Sequence, residues 1–152
     1  QKQIAGMVTS VRPRSPANSL MNAADLEVPF AMNVIAVTPE FLQKNTAVVE
    51  RLLRGYIEGV AALNHDRSSA LKVLGKYLKR SDPGFLDEMY KIAVQFTDRN
   101  PRIDPRTVAT VLEFEPVKGV DAEALIPKAI DNGPVDKLAR EGFIEKAFSR
   151  PR

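Results

Sequence analysis

Thr9 and Ser10, followed at once by Arg12 and Arg14, are the side chains best placed to hold a small ligand. Two hydroxyls beside guanidinium groups suit an anionic group such as a carboxylate, sulfonate or nitrate. The hydroxyl pair ends an apolar run, Ile4 to Val11, which reads as a short strand. Asn33 opens a second apolar run, Asn33 to Val37, just after the bend at Pro29 and Phe30. In open α/β folds, small ligands sit at strand ends, where backbone amides and hydroxyls are unspent. Thr9, Ser10, Arg12, Phe30 and Asn33 are therefore the candidate ligand-binding residues. The competing reading is a surface loop with ordinary charges.

No comparable cluster suggests catalysis. The single histidine, His65, lies in Asn-His-Asp-Arg with no serine or cysteine partner nearby. It reads as a solvated loop residue rather than a general base. The acid pairs Asp87/Glu88 and Glu113/Glu115 fall on helix surfaces or ends, the usual place for solvated charge. Phosphate-loop, nucleophile-elbow and zinc-protease motifs are missing. Without cysteine, thiolate metal sites and disulfides are excluded, and one histidine excludes a multi-histidine metal site. The sequence predicts a non-enzyme with no catalytic residues, no metal and no cofactor.

The elements that would position the candidate site are mostly helical. Thr38-Pro39, Asp82-Pro83 and Asp104-Pro105 each pair an N-cap side chain with a proline at the first helical position. They predict helices from Pro39 to about Lys44, from Pro83 to Phe96 and from Pro105 to Phe114. Asn45 is expected to cap a long helix in which Val48, Val49, Leu52, Leu53, Tyr56, Ile57, Val60 and Ala61 form a broad apolar stripe. Gly55 and Gly59 within it suggest a close helix crossing. Asn64-His65-Asp66 is expected to break it. Ser68 to Lys79 follows, with Leu71, Leu74, Tyr77 and Leu78 inward. The Pro83 helix turns Phe85, Leu86, Met89, Tyr90, Ala93 and Phe96 inward, so its aromatics read as core. Asp121 starts a weaker helix to Ile130, Asn132-Gly133-Pro134 reads as a stop, and Val135 to Phe148 is the last helix, divided at Gly142. The fold class expected is therefore α/β: two short strands, then about six helices. The helix starts are irregularly spaced, which argues against a solenoid.

Bulk properties set outer limits. The 152 residues are 44% apolar and 27% charged, with net charge +3, and suit one folded domain. Without a basic run or a basic strip with interleaved aromatics, no nucleic-acid partner is expected. No apolar run approaches the roughly 20 residues of a membrane span. The chain begins at Gln1 and reads as a mature or trimmed product.

Several segments together resemble a known family. They are Thr38-Phe41, Asn45, Arg54 to Gly59, Ala70 to Tyr77 and Asp82 to Leu86, preceded by AADLEVPFAMN and closed by DNGPVDKLAREGFIEKAF. Their order and spacing resemble the nitrate-, sulfonate- and taurine-type solute-binding proteins of ABC importers, a group that includes binders of thiamine-precursor pyrimidines. Thr46 departs from the family's usual proline, and VRPRSPANSLMN departs from its usual Ser-Pro-Pro-aromatic loop. The resemblance implies the C-terminal portion of a type II periplasmic-binding-protein fold, since a whole member is about twice as long. Residues 1–37 would belong to the second lobe, and 38–152 would be helical and return towards the first, a single incomplete domain. It also implies a small-molecule solute, a membrane permease as partner, and a periplasmic or extracellular location. Thr9, Ser10 and the Phe30–Asn33 region would face the cleft. An incomplete unit would be expected to cover its apolar surface by self-association. The alternative is a ligand-sensing or helical protein-interaction module without transport.

Overall fold

The structure is a computed structural model that describes residues 29–30 and 34–149. Among the described residues there are eight helices and no strand. They are α1 (Pro39–Lys44), α2 (Thr46–His65), α3 (Arg67–Leu78), α4 (Pro83–Phe96), α5 (Pro105–Phe114), α6 (Ala122–Ala129), α7 (Gly133–Arg140) and α8 (Phe143–Ser149). The expected α/β class is thereby corrected. Val34 to Val37 carry no strand, and Val34, Ile35 and Val37 are exposed. A short apolar run is compatible with several structures by pattern alone. A strand also needs a neighbour to take its N–H and C=O groups, and the described residues supply none. The other expected strand, Ile4 to Val11, lies outside the described residues.

The helix starts follow local chemistry. Thr38 Oγ1 accepts the Phe41 N–H at 3.2 Å, and Asp82 Oδ1 accepts that of Phe85 at 2.6 Å. Asp104 and Asp121 cap α5 and α6 in the same way. Each side chain satisfies an amide that the helix itself leaves unpaired. Asn45 differs. It holds the N-cap position of α2 without a side-chain cap, and its Nδ2 donates back to the Phe41 carbonyl at 3.1 Å. Two expected breaks also shift. α2 runs through Asn64 and His65, and Asp66 alone ends it while capping α3 through the Ser69 N–H. Gly133-Pro134, expected as a stop, opens α7, because a proline at a first-turn position lacks only an N–H that would be unpaired there anyway. Gly142, at φ 68°, separates α7 from α8 as expected.

The core is built across the ends of the described chain. Val49, Leu53 and Ile57 of α2 meet Val135 and Leu138 of α7 and Ile144 of α8, with Leu42, Tyr56, Phe143, Ala147 and Phe148 packed against them. Ile57 and Leu138 are fully buried. α3 packs on α4, and α5 on α6. The segment between α4 and α5 is tied down by one side chain: Asn132 accepts the Ile103 N–H and donates to the Ile103 carbonyl, both at 2.9 Å.

The predicted inward faces are partly realised. Leu71 and Leu74 of α3 are half-buried, but Tyr77 is 76% exposed and Leu78 is exposed. On α4 Phe85, Leu86, Met89, Tyr90 and Ala93 are half-buried, whereas Phe96 is exposed. The stripe of α2 is narrower than its sequence suggests. Val48 and Leu52 lie outside, and a Cβ at Gly55 or Gly59 would meet nothing within 4 Å. The expected close crossing at these glycines is therefore not made within the described chain, although each glycine weakens the helix by about 1 kcal/mol relative to alanine.

Candidate functional site

The concave feature of interest is a shallow groove of about 230 Å³ between α2 and α8, lined by Arg54, Glu58, Phe143, Lys146 and Ala147. Helical spacing builds it. Arg54 and Glu58 are four residues apart on α2, and Phe143, Lys146 and Ala147 follow the i, i+3, i+4 pattern on α8. The Leu53–Ile57 side of α2 packs into the core against Ile144, which sets the two polar edges side by side.

Arg54 is held at two points. Its guanidinium lies 4.4 Å from the centroid of the Phe143 ring and 2.5 Å from Glu141. Ring and carboxylate together fix a planar cation in one orientation. Lys146 and Glu58 line the same groove and make no ion pair among the described residues. With Glu141 beside Arg54, the local charges nearly cancel. The groove therefore offers a cation, a carboxylate and an aromatic edge. It contains no serine, cysteine or histidine nucleophile, and its members are not set as an acid–base pair.

His65 has a structural partner. Its Nε2 donates to the Phe148 carbonyl at 2.9 Å, and the two rings lie 6.3 Å apart. The Arg99 guanidinium covers the other ring contact of Phe148 at 5.0 Å. The imidazole thus anchors the end of α8 to the end of α2. Asp87, expected as a solvated carboxylate, accepts from Arg67 across the α3–α4 contact and pairs with Lys91 at 3.1 Å. The hydrogen bond from Arg67, then that from Lys91, holds its carboxyl below the ordinary carboxylate range. Glu88 also takes Lys91, at 2.8 Å, whereas Glu113 and Glu115 are exposed as expected.

Of the five candidate ligand-binding residues, Thr9, Ser10, Arg12 and Asn33 lie outside the described residues. Phe30 is described. It is 43% exposed, and its ring stands 6.3 Å from that of Phe114 at the end of α5. It does not line the α2–α8 groove. The groove itself was not legible in the sequence: Arg54 and Glu141 both fall in segments of the family resemblance, but they meet across 87 positions and nothing local links them. Among the described residues no group of three or more histidine, cysteine, aspartate or glutamate side chains could hold a metal ion, and no helix is long and apolar enough to cross a membrane. Comparison with family models, curated proteins and solved structures finds no match.

Proposed function

We propose that this chain is part of the solute-binding component of an ABC importer. It would capture a small solute, an anion such as a sulfonate, nitrate or carboxylate, or a heterocycle, close around it, and deliver it to a membrane permease from the periplasmic or extracellular side. The observation that carries the reading is the ordered set of sequence segments that resembles that family. In the structure these segments fall on helices and their caps. Thr38 and Phe41 form the cap of α1, Arg54 to Gly59 lies in α2, and Ala70 to Tyr77 lies in α3. Asp82 caps α4, and the closing segment forms α7 and α8, which complete the core against α2. The helices act as scaffold, and ligand contact is assigned to Thr9, Ser10, Arg12, Phe30 and Asn33. Charge-assisted bonds from Arg12 would orient an anionic group.

The test is a thermal-shift and calorimetric screen of the full-length protein, of which this chain is proposed to be part, against taurine, alkyl sulfonates, nitrate, aromatic carboxylates and pyrimidines. A ligand at a hundred times its Kd stabilises the folded state by about 2.7 kcal/mol, a shift easily seen in the melting midpoint. Arg12→Ala is expected to weaken an anionic ligand at least tenfold, the scale of one lost charge-assisted bond. Saturable binding without turnover supports the proposal. Absence of binding across all these classes, or chemical conversion of a bound solute, overturns it.

A further inference from the structure

The outer face of α2 is built like a contact surface and is uncovered by the described residues. Val48 is 42% and Leu52 51% exposed, and Gly55 and Gly59 continue the same face at spacings of four, three and four. Leu63, half-buried, closes the row. The face lies about a third of a turn round the helix from Val49, Leu53, Ile57 and Val60, which are buried. Two large apolar side chains beside two positions where a Cβ would meet no atom within 4 Å make a ridge next to a hollow. Arg51 and Glu58 flank one edge of the row, exposed and without an ion pair among the described residues.

We propose that this face is the interface between two copies of the chain, paired as antiparallel α2 helices about a two-fold axis. An isologous contact requires one surface to complement itself. A register with the axis between Gly55 and Tyr56 does so. Leu52 of each copy then sits on Gly59 of the other, where no side chain opposes it, and Val48 meets Leu63. In the same register Arg51 and Glu58 of opposite copies fall on the same side of the contact. They are offset by two residues, about 3 Å along the axis, so two cross-helix ion pairs form. A parallel two-fold pairing would instead put the two copies of Arg51, and the two copies of Glu58, on opposite edges of the contact and would form neither pair. The glycines, which weaken an isolated helix, here permit close approach of two backbones. The charge pattern makes a second copy the occupant of this face. The inference is independent of the solute reading, and the dimer is expected with or without a ligand.

Sedimentation equilibrium of the protein, with its variants, tests it. The wild type is expected to dimerise. Gly59→Leu fills the hollow and should leave a monomer whose own melting midpoint is unchanged or higher, because nothing within 4 Å opposes the new side chain and leucine favours helix. Arg51→Glu should raise the dimer Kd roughly tenfold or more, and Arg51→Glu combined with Glu58→Arg should restore it, since the swap rebuilds both pairs. The cysteine-free chain allows a further check. Gly55→Cys, beside the axis, should cross-link between copies on oxidation. Val48→Cys should not, because its two copies stand about 22 Å apart along the axis, beyond disulfide reach. A wild-type monomer at hundreds of micromolar overturns the proposal. So does a dimer indifferent to Gly59→Leu, a charge swap that fails to rescue, or cross-linking through Val48→Cys. A monomer destabilised by Gly59→Leu would show that the chain's own remainder covers the face, and equally overturns it.

Discussion

Asp87 illustrates how single side chains join neighbouring helices here. It receives Arg67 from α3 and Lys91 from its own helix, and these hydrogen bonds hold its carboxyl below the usual range. The folded protein therefore binds fewer protons at this site than the unfolded chain. Its contribution is fully present above the unfolded carboxylate pKa, about 3.9, and is lost as pH falls through the lower folded value. Carboxyl titration followed by NMR should place Asp87 below the exposed carboxylates, and Arg67→Ala should move it back towards them. Tyr56 shifts in the other direction. Burial first, and the nearby Asp98 second, push its phenol above the ordinary value. Ionisation followed by ultraviolet absorbance should show one late phenol that Tyr56→Phe removes. Stability from this group is present below the unfolded tyrosine pKa, about 10, and declines as pH rises towards the folded value. At this scale the sequence showed that His65, Asp87 and Arg54 exist, and it did not show their partners. Arg54 and Glu141, or His65 and Phe148, become neighbours only when α8 lies on α2.

Helices are where local chemistry decided most. The Thr-Pro and Asp-Pro starts became α1, α4 and α5 at the expected residues, because a cap and a fixed φ act within four residues. Gly142 likewise divided α7 from α8. Two breaks came out differently: α2 continues through Asn64 and His65 to Asp66, and Gly133-Pro134, expected as a stop, opens α7. α3 ends on Lys79, a non-glycine residue in the left-handed region at φ 52°, with the Arg80 N–H donating to the Gly75 carbonyl at 3.1 Å. Glycine is the usual residue for that backbone. Lys79→Gly relieves the conformational cost and gives some of it back through unfolded-chain entropy. It should raise unfolding stability by up to about 1 kcal/mol in urea melts. Asp82→Ala, which removes the cap of α4, should lower it by about 1 kcal/mol. The apolar run Val34 to Val37 marks the limit of such reasoning: its residues favour a strand, but a strand is made by its neighbour.

For the whole molecule, the core depends on α7 and α8 closing on α2. Ile57 and Leu138 are fully exluded from solvent at that meeting, so Ile57→Ala and Leu138→Ala should each cost about 2–5 kcal/mol. Phe96→Ala, at an exposed position, should cost far less, and urea unfolding distinguishes them. The α2–α8 groove, the His65 anchor and the α2 face that the described residues leave uncovered all follow from the same docking. By itself the sequence determined where most helices begin and end, and that no cysteine-based or multi-histidine chemistry is available, because caps, prolines and residue inventory are local properties. Only the tertiary structure decided which side of α2 is core. Its apolar residues run broadly around the helix, and periodicity cannot rank two faces that both look apolar. Burial can, because it depends on which partner arrives: α7 and α8 cover Leu53 and Ile57, and leave Val48, Leu52, Gly55 and Gly59 outside.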